Sequence, residues 1–143
     1  MNGRLPPAPL RLRALAFAYD VLPLLGLWFL AGVIGLALTG GALDPHRFAH
    51  RILVQALAAI LCGGYFVVSW TRGGQTLGMR AWRLRVVRDD GGLLGWPRAL
   101  LRFVVGCISV ATLGAGFGWA WIDRRGRTWH DRVAQTRVVR AVR

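Results

Sequence analysis

FVVGCISVATLGAGFGWAWI, residues 103–122, is the stretch on which the fold turns. It carries no charge and has about the 20 residues a helix needs to cross a bilayer. Yet Gly106, Gly114, Gly116 and Gly118 punctuate it, with Ser109 and Thr112 near its middle. Glycine at that density weakens one straight helix and suits two half-helices joined by a bend. Irregular backbone is tolerated at membrane depth where protein covers it. The alternative is a straight helix whose glycines let neighbours approach closely. The charges elsewhere in the chain decide between them.

Two further apolar runs precede it: ALAFAYDVLPLLGLWFLAGVIGLALT, 14–39, and ILVQALAAILCGGYFVVSWT, 52–71. The first is too long for a signal-peptide core, contains Asp20 and Pro23, and lacks a cleavage site. A hydrophobic fraction of 55% over 143 residues exceeds what an ordinary soluble domain carries. The chain therefore reads as a polytopic membrane protein.

Orientation follows from arginine, since cytoplasmic flanks collect positive residues. All 19 basic residues are arginines, set against six aspartates, for a formal charge of +13. Arg4, Arg11 and Arg13 precede the first run; Arg47 and Arg51 lie in the short connector; seven arginines fall in 72–102 and seven after residue 122. Three simple crossings would divide them ten against nine, which orients nothing. If the third run enters and leaves on one side, the division becomes seventeen against two. RVVR at 85–88 and again at 137–140 agrees with this. Both read as short strands, with DDGG at 89–92 as the turn after the first. They could pair only within the same compartment.

The architecture expected is a single domain, 1–143, of all-α membrane class. It has an N-terminal tail, 1–12, two full spans, about 14–39 and 52–71, and a third, re-entrant or hairpin helical segment, about 99–122. A small cytoplasmic cap with short β-strands comprises 73–98 and 123–143. Both termini are then cytoplasmic.

Asp20 is the conspicuous charge. An aspartate near a span's centre costs about 2.5–3.5 kcal/mol, and its short side chain cannot snorkel. It should face other helices and find a partner, with Arg102 the first candidate and Arg13 and Tyr19 the local ones. It is either an ion or proton relay or half of a buried pair that fixes helix register. Gln55, Ser69 and Thr71 are helix-packing groups. Cys62 and Cys107 lack metal or redox spacing and read as small buried hydrophobes.

WIDRRGRTWHD, 121–131, offers His130 and Asp131 side by side. That gives at most two ligands where zinc wants three or four, and no nucleophile stands near. No enzyme, metal or cofactor is expected, and arginines flanking apolar spans do not make a nucleic-acid face. Arg124, Arg125 and Arg127 with Trp121 and Trp129 read instead as a collar on anionic lipid headgroups. In QTLGMRAWRLRVVR, 75–88, Leu77, Met79 and Trp82 should dip into the interface while Arg80, Arg83 and Arg85 face phosphate or water.

Arg13 followed by Asp20, then GGQTLGMRAWRLRVVRDDGG, then LGAGFGWAWIDRRGRTWHDRVAQTRVV together resemble the RDD family of bacterial integral membrane proteins. The resemblance covers about 10–140 and implies that Arg13, Asp20 and Asp131 are the name-giving residues. Trp129, where the family usually has leucine, and Gly126 depart from the pattern. For function it implies little: transport has been suggested, and some members are associated with sodium–proton antiport. The leading expectation is transport of an ion or small solute by a homo-oligomer. The rival is a non-transporting scaffold or assembly partner anchored to anionic lipids.

Overall fold

The computed structural model describes residues 7–112, 114–123 and 126–141. In order they form α1 (Leu10–Leu38), α2 (Phe48–Arg72), α3 (Leu77–Ala81), β1 (Leu84–Arg88), α4 (Trp96–Ala111), α5 (Ala115–Ile122), α6 (Trp129–Val133) and β2 (Thr136–Arg140). Two helices, α1 and α2, are long and apolar enough to cross a membrane. They cover the first two runs and extend them toward the N-terminus. α1 runs on through Pro23.

The chain divides into two compact units, residues 21–65 and the remainder. In the smaller unit, the turn between α1 and α2 is closed by local bonds. Thr39 Oγ1 donates to the Gly35 carbonyl (3.0 Å), and the Asp44 N–H donates to His50 Nδ1 (3.0 Å). Gly40 and Gly41 take positive φ here, a conformation that costs glycine no side-chain clash.

The larger unit holds the sheet and the shorter helices. α4 and α5 are separate helices: α4 is capped by Thr112, and α5 starts after Gly114, which has φ +81°. α5 lies against α4 at Gly116, where a Cβ would overlap the Ser109 side chain. The two RVVR segments are strands and pair with each other, antiparallel, in the register Leu84↔Arg140, Val86↔Val138 and Arg88↔Thr136. Leu84, Val86 and Val138 belong to a core cluster with Ala8, Ala16, Val67, Trp70, Leu94 and Ala99. The chain before α1 reaches the free edge of β2, where the Ala8 N–H donates to the Val138 carbonyl (2.8 Å).

The repeat runs well beyond RVVR. Residues 74–88 and 126–140 are the same local structure made twice, at a fixed offset of 52 positions. Each begins with a glycine at positive φ (Gly74 +67°, Gly126 +60°). Each continues with a threonine N-cap at nearly identical angles (Thr76 −78°, 173°; Thr128 −78°, 168°) and a five-residue helix. A non-glycine residue at positive φ follows (Arg83 +53°, Gln135 +52°), then a five-residue strand. Gly, Thr, Arg80/Arg132, Arg85/Arg137, both valines and Arg88/Arg140 are identical, seven of the fifteen positions. The strand register is symmetric about the Val86–Val138 pair, so the two arms are related by a local two-fold.

Candidate functional site: a buried arginine–aspartate cluster

α6 is the element that makes the site. Its five residues begin with a capping box, in which the Thr128 N–H donates to Asp131 Oδ2 (3.3 Å). Such reciprocal capping satisfies first-turn donors that a short helix would otherwise leave open. It also fixes the Asp131 carboxylate at the helix start, completely buried.

Two guanidiniums converge on that carboxylate. Arg13 Nη1, from the first turn of α1, donates to Oδ2 at 2.7 Å, and Arg102 Nη1, from α4, donates to Oδ1 at 2.5 Å. The arginine side chains are 9% and 2% exposed, so both ion pairs are effectively dry. Arg102 also donates to Thr136 Oγ1 of β2 (2.7 Å), and its guanidinium lies over the Trp70 ring of α2 at 5.1 Å. An aromatic face attracts a desolvated cation, which offsets part of the second positive charge. Arg13 Nη2 reaches the Val138 carbonyl. One carboxylate thus joins α1, α4, α6 and β2.

Burial alone would push the Asp131 carboxyl up. The guanidiniums of Arg102 and then Arg13 overcome this and hold it well below the usual carboxylate range. His130, beside it, is buried and has Nε2 2.9 Å from the Thr128 hydroxyl. Burial first, then the Arg102 charge, pushes the imidazole down to about 3 against the opposing pull of Asp131. It is neutral at physiological pH.

Asp20 is elsewhere. It sits 3% exposed on α1 and accepts from the Thr76 hydroxyl (2.5 Å) and the Gly78 N–H (2.9 Å). α3 is pressed so close that a Cβ on Gly78 would overlap the Ala16 carbonyl. The expected pairing of Asp20 with Arg102 or Arg13 is therefore corrected: both arginines are on Asp131, and Asp20 grips the start of α3. The reason is charge. Two buried guanidiniums need the carboxylate nearest to both, whereas Asp20 can be stabilised by donors of the α3 N-terminus.

The expected collar tract divides between residues held inside the fold and residues left outside it. Thr128, His130 and Asp131 point into the core rather than to a membrane surface. Arg127 is engaged by Asp89 through both terminal nitrogens (3.0 and 3.2 Å). Trp129 packs against Trp119, with centroids 6.2 Å apart, while Trp121 is 82% exposed. Arg124 and Arg125 lie outside the described residues. Met79 and Trp82 pack against the core cluster and Leu77 alone of the three is outward-facing. Thr76, Thr136 and Trp70 were not anticipated; the Gly-x-Thr shared by 74–76 and 126–128 was the signal for the first. Among the described residues, no three His, Cys, Asp or Glu side chains gather as a metal site would need.

The protein-family model that matches this chain, over residues 7–135, is that of the RDD family. The chain belongs to the RDD family. The match bears out the resemblance seen in the sequence, and with two helices able to span a membrane it points to a membrane location. Comparison with curated proteins and with solved structures gave no match. Of the three residues that the resemblance singled out, Arg13 and Asp131 meet directly, and Asp20 holds the matching arm of the repeat.

Proposed function

We propose that this RDD-family chain is a bacterial inner-membrane scaffold or assembly module, multi-pass, with both termini cytoplasmic. α1 and α2 cross fully, α4 and α5 form a re-entrant segment, and 73–98 with 123–143 cap the cytoplasmic side against anionic headgroups. The seventeen-to-two division of arginines supports that orientation. One observation carries the scaffold reading: the charges of the signature triad are engaged internally, each joining elements distant in sequence. Such a cluster fixes a structure. It leaves the basic outer surface as the part that meets lipid or a protein partner.

Transport of an ion or small solute, by a homo-oligomer, is the second reading. It is favoured by Asp20, an ionisable group in the first span that accepts from the Thr76 hydroxyl and from the Gly78 N–H. Asp20→Asn separates the two in reconstituted vesicles. A scaffold gives no ion-dependent proton flux above protein-free vesicles, and Asp20→Asn lowers its yield and melting temperature. Wild-type flux that a well-folded Asp20→Asn chain loses would establish transport and sink the scaffold reading.

A further inference from the structure

The duplicated arms place two equivalent arginines on one face of the sheet. Successive strand residues point to opposite faces. Leu84, Val86, Val138 and the buried Thr136 share the face that meets the core cluster, so Arg85 and Arg137 share the opposite face with Val87 and Val139. Arg85 stands opposite Val139 and Arg137 opposite Val87. The arginines are thus diagonal neighbours, with Cα atoms about 7–8 Å apart, close enough for two long side chains to converge on one group.

Two other arginines nearby are already committed. Arg88 pairs with Asp90, and Arg127 with Asp89. Arg85 and Arg137 have no carboxylate or other hydrogen-bond acceptor among the described residues, and the Arg137 Nε–H is buried without one. Two like charges at diagonal positions repel each other, and an anion between them reverses the sign. Val87 and Val139, both buried, keep the ground between the arginines apolar, which strengthens electrostatic contacts there. Guanidinium forks match phosphate oxygens in planar, bidentate fashion.

We propose that Arg85 and Arg137 form a two-armed phosphate site that takes the phosphodiester of an anionic lipid headgroup. This rests on the reading of the cap as a surface laid on anionic headgroups, and it names the residues that make the contact. Lipid is the source chosen because the chain carries +13 beside two helices able to span a membrane.

The test titrates the detergent-solubilised full chain with phosphatidylglycerol, with phosphatidylcholine and with inorganic phosphate, reading bound lipid by native mass spectrometry. Wild type should prefer phosphatidylglycerol, and excess inorganic phosphate should not displace it. Near-surface arginines lend about fivefold each, so Arg85→Gln should bind roughly 5-fold and Arg85→Gln/Arg137→Gln about 30-fold more weakly. Arg47→Gln/Arg51→Gln, around the start of α2, should match wild type. Arg85→Lys/Arg137→Lys should fall between, keeping charge and losing the fork. Undiminished phosphatidylglycerol binding in the Gln pair overturns this site and leaves the cap reading standing. No preference over phosphatidylcholine in wild type removes the cap reading too. Displacement by inorganic phosphate overturns the lipid assignment. Because Arg85 is exposed, the single variant decides the matter if the pair variant unfolds.

Discussion

Replacing Asp131 by Asn keeps the shape of the cluster and removes its only carboxylate. Each carboxylate oxygen serves a different guanidinium, at 2.7 and 2.5 Å, and the side chain is wholly buried. An amide can present an oxygen to one arginine, but then sets an NH2 donor against the other. Breaking a buried ion pair from one side costs about 3–5 kcal/mol, because the surviving charge is left desolvated. Here two charges survive, so the upper part of that range applies. A domain has about 5–15 kcal/mol in all, which makes Asp131→Asn a severe lesion. Equilibrium unfolding in detergent micelles, followed by tryptophan fluorescence, measures it. The decisive control is Asp131→Asn combined with Arg102→Met or Arg13→Met. If uncompensated charge is the cause, the second change should restore part of the loss, by about 0.5–3 kcal/mol. A loss under about 1 kcal/mol for Asp131→Asn, within the range of a surface pair, would refute the reasoning. So would double variants no better than the single one.

Gly78→Ala should be costly out of proportion to one methyl, since the new Cβ would overlap the Ala16 carbonyl. Overpacking of this kind costs about 1–3 kcal/mol, and faster hydrogen exchange confined to the α3–β1 arm would show that α3 had undocked; unchanged exchange there would count against the close approach. Acid should weaken the fold early. His130 takes its proton near 6.5 when unfolded but only near 3 when folded, so the unfolded state binds the extra proton between those values. Stability then falls as pH drops below 6.5, by at most about 1.4 kcal/mol per unit from this group. Asp131, held low in the folded state, favours the folded state above its unfolded value near 3.9 and loses that contribution as pH falls toward the folded one. Melting temperatures in detergent across the acid range check this, and His130→Gln should flatten the upper part of the decline. A wild-type profile flat between about pH 7 and 5 would contradict a buried neutral imidazole.

The long helices and the strand pair were legible because each rests on local pattern. A 20-residue apolar run and a valine-rich RVVR announce themselves whatever surrounds them. The site was half legible. That Asp20 must be buried and partnered follows from the cost of an aspartate among apolar residues, and the structure has it 3% exposed. Which partner it takes does not follow, because helical spacing places Arg13 on its face without saying where the guanidinium turns. That choice is made over 118 positions of sequence, by Asp131. The tract 121–131 misled for the opposite reason. Its arginines and tryptophans compose a surface, and composition cannot tell that Thr128 caps a five-residue helix and swings His130 and Asp131 inward. What the sequence did hold, and a four-residue match understated, is the second copy of the arm. Read through that duplication, Arg13, Asp20 and Asp131 resolve into two grips on one design. In the first arm a carboxylate from α1 holds the helix start from outside, which requires Gly78 to leave room. In the second, the equivalent position is His130, the carboxylate is supplied by α6 itself, and α1 contributes the arginine instead. Arg13 and Asp20, both on α1, therefore hold one arm each, with opposite charge, so a charge swap at either should loosen its own arm and spare the other.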